Sequence, residues 1–147
     1  MKSDLAYELT TAVLVTADAF LRESQRLFRP LGLTAAQFNV LNILALHTAG
    51  AMSQRELSER LVVDRSNVTG LLDRLGKAGW VQRKDDPDDR RVYRVSLTPA
   101  GRALWEKAHP RYLRVVAQVT AGIPPRRRQE CIATLEQLAA AAPQWKL

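Results

Sequence analysis

Residues 53–75 read SQRELSERLVVDRSNVTGLLDRL, and the pattern of caps and apolar residues in them indicates the architecture of the chain. It opens with the capping box Ser53-Gln54-Arg55-Glu56, in which the serine and glutamate side chains satisfy the first backbone donors of a helix. After a tight connection, Asp64 is placed to cap a second helix that extends to about residue 78. The residues expected on the buried faces of the two helices are Leu57, Leu61, Val68, Leu71, Leu72 and Leu75. The stretch therefore predicts a helix-turn-helix.

Two strand-like segments follow the second helix. Residues 80–84 and 92–97 are rich in β-forming residues, and alternate positions of the second segment share one apolar face. Between them, residues 85–91 read DDPDDRR, a charged turn with no expected place in a core. We predict a β-hairpin with an exposed tip, which is the wing that accompanies many helix-turn-helix units.

Four further helices are predicted around this unit. Residues 4–28 carry apolar residues at steps of three and four, and the capping box Thr34-Ala35-Ala36-Gln37 opens a helix that is apolar nearly all round. Thr98-Pro99 begins a fifth helix, which Pro110 is expected to kink or break, and a last helix follows Pro124-Pro125. The expected fold class is mainly α with a small β-hairpin wing, a winged helix-turn-helix with about six helices.

The net charge of +7 is typical of a protein with a polyanionic partner, but its distribution does not locate the contact. Residues 55–94 contain ten Lys and Arg against eight acids, whereas residues 101–128 contain seven against one. Most of the surplus therefore lies outside the predicted helix-turn-helix, and the placement of a nucleic-acid site has to come from motifs.

Several classes of protein are disfavoured by what the sequence contains. One cysteine permits no internal disulfide, two histidines leave little for a metal site, and a reducing cytoplasmic location fits best. The apolar runs are too short for a membrane span, so no membrane partner is expected. The sequence has no phosphate-binding glycine loop, nucleophile elbow or paired catalytic carboxylates, so we expect neither an enzyme nor a cofactor.

Polar and small residues occupy the exposed positions of the second helix of the helix-turn-helix. They are Arg65, Ser66, Asn67, Thr69, Gly70, Asp73 and Arg74, and all but Asp73 are assigned to DNA. In a major groove, Arg65 would pair with guanine and Asn67 with adenine, and the hydroxyls and the glycine would permit close approach. Arg74 lies further along and suits a phosphate. A solvated polar face is the alternative interpretation, and the position between a turn and a wing favours DNA reading.

The predicted hairpin tip combines arginines with acids. An arginine at the end of a thin projection can enter a minor groove, where the potential is most negative when the groove is narrow. Asp89 is placed to hold Arg91 by a charge-assisted hydrogen bond, whereas Asp85, Asp86 and Asp88 would repel phosphate. A solvated turn is the alternative for this segment.

Four segments together resemble the MarR family of bacterial winged helix-turn-helix repressors. Residues 57–75 are similar to the turn and recognition helix of that family. Residues 79–83, 86–91 and 95–101 resemble its wing and the start of its next helix. With the flanking helices, the resemblance covers essentially the whole chain.

The resemblance implies a homodimer with intertwined first and last helices. Residues 1–32 and 99–147 would form the helical dimerisation region, and residues 33–98 the DNA-binding lobe. Arg91 takes the place of the wing arginine that enters the minor groove, with Asp89 as its partner. The wing residues assigned to DNA are Asp89, Arg90 and Arg91. The implied partner is double-stranded DNA with a palindromic operator whose half-sites lie about 10 base pairs apart, and the implied effect is repression.

Members of the family commonly respond to small aromatic or phenolic compounds or to oxidants. Phe28, Phe38 and Trp105 are candidate lining residues for such an effector, and ordinary core is the alternative for each. Peroxide-sensing relatives place a reactive cysteine in the first helix, where Leu14 stands here. Cys131 lies instead on an apolar helical face typical of an inert cysteine. Two alternative functions stay open, a redox-responsive regulator based on Cys131 and a winged-helix protein-interaction module without DNA binding.

Overall fold

The structure is a computed structural model that describes residues 4–61, 67–89 and 91–142. The chain divides into two compact units, Met1–Tyr112 and Leu113–Leu147. The first unit holds the helix-turn-helix and the wing.

The described residues form six α-helices and three strands. The helices are α1 (Leu5–Phe28), α2 (Ala35–Leu46), α3 (Gln54–Arg60), α4 (Val68–Lys77), α5 (Pro99–Thr120) and α6 (Pro125–Ala141). The strands are β1 (Ala51–Ser53), β2 (Val81–Asp85) and β3 (Tyr93–Leu97). The predicted fold class, mainly α with a small wing, is confirmed.

Side-chain caps fix where several helices begin. Both predicted capping boxes are present, Thr34 with Gln37 at α2 and Ser53 with Glu56 at α3. The Thr98 hydroxyl accepts from the Gly101 amide at 3.0 Å and donates to the Gly79 carbonyl at 2.6 Å, which ties the start of α5 to the turn after α4. At this junction only glycine fits at position 101, because a Cβ there would overlap the backbone carbonyl of Trp80.

The wing sheet has one strand more than the sequence predicted. The order is β1-β3-β2, with both pairings antiparallel, so β3 lies in the middle. The hairpin of β2 and β3 is confirmed, and the prediction of only two strands is wrong. Met52 of β1 is fully buried opposite Val95 of β3. A strand of three residues is too short to show alternation, which is why the pattern concealed it.

One apolar core holds the first unit together. The predicted inward faces of α3 and α4 are confirmed, because Leu57, Leu61, Val68, Leu71, Leu72 and Leu75 are all buried. Phe28 and Phe38 stack with ring centroids 4.0 Å apart, and Tyr112 lies 5.2 Å from Phe38. Aromatic contacts of this kind fix the end of α1 against α2 and α5.

Helix α5 runs through Pro110 without a break and ends at Thr120. Of the two expected effects of this proline, the break is therefore wrong, and the kink stays a prediction. Proline removes one backbone hydrogen bond and crowds the preceding turn, but helical residues extend for more than two turns on each side. The buried Ala108, two residues before Pro110, anchors this part of the helix in the core.

In the second unit, Arg128 completes the end of α5. Its guanidinium donates to the carbonyl of Thr120, the last residue of the helix, and to the carbonyl of Ile123 just beyond it, both at 2.7 Å. None of the described residues of α6 is buried, and Ile132 and Leu135 are exposed. Cys131, on the same helix, is a free and exposed thiol.

No helix in the described part of the chain is both long and apolar enough to span a bilayer.

Candidate nucleic-acid interface

Helix α4 presents a polar face opposite its buried leucines. Asn67, Thr69 and Arg74 are exposed, and Gly70 is half-buried. Asn67 is the residue from which α4 begins. The predicted contacts of Arg65 and Ser66, and the predicted cap at Asp64, lie outside the described residues. The exposed positions of the described part of α4 therefore include an amide, a hydroxyl and a guanidinium.

Gly70 makes room for a neighbouring side chain as well as for the backbone. A Cβ at this position would lie 2.5 Å from Oδ1 of Asn67, closer than real contacts allow. The side-chain amide of Asn67 therefore lies against the helix, in the space that the Cβ of any other residue at position 70 would occupy. Sequence reasoning assigned this glycine to close approach of DNA and missed its role beside Asn67, which depends on the side-chain conformation.

Two side-chain contacts tie α4 to its surroundings. Gln54 of α3 donates from Nε2 to the Thr69 hydroxyl at 2.8 Å. Asp73 pairs with Arg83 of β2, with Oδ1 and Nη1 2.7 Å apart. A surface groove of about 410 Å³ lies beside this pair, lined by Leu72, Asp73, Gly76, Lys77, Val81 and Arg83. Helix α4 is thus linked on one side to α3 and on the other to the wing.

Asp86 shapes the turn of the wing from the inside. It is buried, with 7% of its surface exposed, so the expectation that no residue of this turn belongs to the interior is wrong. Oδ1 accepts from the backbone amides of Asp88 and Asp89, at 2.9 and 3.3 Å, and Oδ2 accepts from Nε of Arg94 at 2.6 Å. These backbone amides, then the Arg94 guanidinium, hold the pKa of Asp86 below its ordinary value. Its charge is therefore neutralised within the wing.

Asp89 and Arg91 are in contact, although through different atoms from those expected. Asp89 Oδ1 accepts a hydrogen bond from the backbone amide of Arg91 at 2.9 Å. The Arg91 side chain is exposed. Asp89 therefore fixes the backbone from which this side chain projects. Arg90 lies outside the described residues.

Arg94 connects the wing to the helix-turn-helix. Besides its bond to Asp86, its Nη1 lies 3.7 Å from Oε2 of Glu56. Glu56 also accepts from the Ser53 amide, and this backbone bond is the main cause that lowers its pKa. The carboxylate of Asp86 raises the pKa of Arg94 above its already high value. The sequence predicted the Ser53–Glu56 bond as part of a capping box, but it gave no sign of the contacts of Arg94 with Glu56 and Asp86.

Comparisons with known proteins identify the architecture. The MarR family model matches residues 33–93. The chain is 32% identical to a cysteine-to-serine mutant of MarR from E. coli solved with operator DNA, over 95% of this chain and 99% of that one, with a TM-score of 0.74. The chain belongs to the MarR family.

Two further relatives are a transcriptional regulator and an antibiotic resistance protein. It is 33% identical to the M. tuberculosis transcriptional regulator MOSR, solved in complex with DNA, over 95% of this chain and 98% of that one, with a TM-score of 0.70. It is 43% identical over 82 residues to the multiple antibiotic resistance protein MarR of Salmonella typhimurium. That match spans 56% of each protein, so the chain covers about half the length of this curated relative.

The three residues predicted to line a MarR-type effector site lie in different surroundings. Phe28 and Phe38 are buried in the core and stack on each other. Trp105 is half-buried, and its Nε1 donates to Oδ1 of Asn42 at 3.0 Å. The ring of His109 stacks on Trp105, and its Nδ1 lies 3.1 Å from the same Asn42 oxygen. Trp105 is thus part of a polar and aromatic cluster between α2 and α5.

The wing should depend on pH through Asp86. Because folding lowers the pKa of Asp86, its ionised form stabilises the native state above the ordinary carboxyl pKa of about 3.9, and this contribution is lost as the pH falls through the lowered value. We therefore expect Asp86→Asn to lower the free energy of unfolding at pH 7, and the difference from the unmodified chain to shrink below about pH 4. Urea unfolding at pH 7, 5 and 3 measures both. Asp85→Asn, at an exposed neighbour, is the control, and a difference that grew towards pH 3 would contradict the assignment.

Proposed function

We propose that the chain is a sequence-specific regulator of transcription that binds double-stranded DNA as a homodimer. The observation that carries the proposal is the exposed polar face of α4, with Asn67, Thr69 and Arg74, next to a wing that projects Arg91. A helix of this width fits a major groove, and an arginine on a thin hairpin fits the adjacent minor groove. A two-fold dimer would read a palindromic operator.

The charges of the wing support this proposal. A tip that carried four free carboxylates would repel a phosphate backbone. Asp86 is instead buried and paired with Arg94, and Asp89 accepts from the backbone of Arg91. Asp86 and Asp89 therefore order the turn from which Arg91 projects.

Exposed apolar residues on α1 support the homodimer. The stripe Leu5, Leu9 and Phe20 lies along one side of the helix, and Leu5 is 77% and Phe20 54% exposed. Exposed apolar surface of this extent marks an interaction face. In the second unit, Leu113, Val119 and Ile132 are exposed in the same way. A second copy of the chain is the partner that would cover these faces.

Phe20→Glu should convert the dimer into monomers. In a two-fold interface, the change would bury two unpaired carboxylates, one from each copy of the chain, at a cost of several kcal/mol. Sedimentation of the purified chain gives the mass directly. Arg22→Ala is the control, since Arg22 pairs with Asp18 on the other side of α1. A Phe20→Glu variant with the same sedimentation as the unmodified chain would show that α1 is not part of the interface.

Selection from random double-stranded oligonucleotides tests the proposed function. A folded dimer that regulates transcription should enrich a palindromic sequence. Absence of enrichment at low salt would contradict DNA reading and favour a protein-interaction module. The same operator then allows a test of release by a small aromatic or phenolic effector such as 4-hydroxybenzoate, with Trp105 as the candidate lining residue whose ring is not sealed in the core. Operator release would support a repressor controlled by this class of ligand.

Arg74→Ala should weaken binding to all DNA sequences alike. Arg74 lies on the exposed face of α4, further along the helix than Asn67 and Thr69, where we expect a phosphate contact. Loss of one such contact reduces the slope of log affinity against log salt by about one. Titrations at several salt concentrations, with Arg126→Ala of α6 as the charge-matched control, measure this slope. A change in the preferred bases would instead make Arg74 a base-reading residue.

A further inference from the structure

The contact between Gln54 and Thr69 joins the two helices of the reading unit. Gln54 is the first residue of α3, and its Nε2 donates to Oγ1 of Thr69 at 2.8 Å. Thr69 is exposed and Gln54 is half-buried, and the bond between them lies on the surface that the proposed function assigns to DNA. The bond fills no core and caps no helix, so stability gives little reason for it.

We propose that Gln54 is a specificity-determining residue that acts by setting the polarity of the Thr69 hydroxyl; this inference rests on the proposed function. A hydroxyl has one proton to donate and two lone pairs that accept. Gln54 occupies a lone pair of Thr69, so the hydroxyl proton is directed to a DNA base. Thr69 then recognises acceptors in the major groove, which are O6 and N7 of guanine, N7 of adenine and O4 of thymine.

The neighbouring residues leave Thr69 in a position to make such a contact. It lies in the first turn of α4, and the first turn of a recognition helix is the part that reaches base edges. The Asn67 side chain lies against Gly70, on the same turn. Thr69 is therefore held by α3, whereas the Asn67 side chain lies beside its own helix without a cap bond.

Selection and sequencing with full-length variants test the polarity directly. Thr69→Val removes the hydroxyl and identifies the operator positions that it reads. Gln54→Glu supplies a carboxylate that only accepts, so Thr69 must donate to it and turn its lone pairs outward. At the positions identified by Thr69→Val, we expect the preference to move by about three- to tenfold towards the donors N4 of cytosine and N6 of adenine. Gln54→Ala should relax the preference at the same positions.

The control is a second glutamine with the same kind of bond. Gln82 of β2 donates from Nε2 to the Ser96 hydroxyl at 3.3 Å, away from α4, and Gln82→Ala should leave every base preference unchanged. Gln54→Ala combined with Thr69→Val should change preferences no further than Thr69→Val alone. Thermal unfolding by circular dichroism establishes that each variant is folded. If Gln54→Glu does not fold, the comparison of the Gln54→Ala, Thr69→Val double variant with Thr69→Val alone tests the inference.

Three results would overturn the inference. If Gln54→Ala weakened all sequences equally, Gln54 would be a phosphate contact. If Gln54→Ala changed the base preference at operator positions that Thr69→Val does not affect, the two residues would act separately. The same would follow if the effects of the two substitutions were fully additive. If an operator were enriched and Gln54→Ala and Gln54→Glu left it unchanged, this inference alone would fail, whereas no enrichment by the unmodified chain would remove the proposed function and the inference with it.

Discussion

Phe38→Ala is expected to lower the free energy of unfolding by about 3–5 kcal/mol, the cost of removing a buried aromatic ring and leaving a cavity. Phe38 is buried between Phe28, at 4.0 Å between ring centroids, and Tyr112, at 5.2 Å. These rings join α1, α2 and α5, so the space cannot close without moving a helix. The loss is a large part of the total stability of an ordinary domain, about 5–15 kcal/mol.

Urea unfolding at a fixed protein concentration measures this loss, and the concentration is fixed because a dimer gains stability with it. Tyr93→Ala removes an exposed aromatic ring from β3 and is the control, expected to cost less than about 1 kcal/mol. A similarly small cost at Phe38, together with recovery of stability on addition of a phenolic ligand, would contradict the core assignment and favour the effector-lining role.

Local signals in the sequence predicted the helices and their boundaries well. The capping boxes at Thr34 and Ser53 act within three residues, and both are present as expected. The buried face of α4 follows from its 3.6-residue period, because every apolar residue on that face packs into the same core. The wing followed from the change of period after Gly79 and from the turn residues between its strands.

The features that the sequence did not reveal depend on contacts between distant residues. Strand β1 exists because Met52 pairs across from Val95, and three residues alone carry no readable period. Asp86 looked like one more acid in a charged turn, and its burial depends on Arg94 and on the path of the turn itself. Gln54 reaches Thr69 across the helix-turn-helix, so neither residue alone suggests the pair. Such contacts are set by tertiary packing, which propensity and pattern do not describe.

Arg91→Ala should weaken operator binding by about 1–3 kcal/mol, or about 5- to 150-fold, the scale of one good groove contact. The Arg91 side chain is exposed on the wing, while its backbone amide is held by Asp89. Removing the side chain beyond Cβ leaves that backbone bond intact, so the turn, the fold and the dimer should survive. The expected loss therefore belongs to the DNA contact rather than to disorder of the wing.

Affinity for the selected operator, measured at matched salt, gives the loss, and Arg126→Ala on α6 separates it from the general effect of removing one positive charge. An arginine in a narrow minor groove responds to groove width, so the loss for Arg91→Ala should be larger on operators with A·T-rich flanks than on G·C-rich ones. Asp89→Ala should reproduce part of the loss, because it frees the backbone that aims Arg91 without removing the guanidinium. Equal affinity for Arg91→Ala and the unmodified chain would show that the wing does not contact DNA, and α4 alone would then have to account for recognition.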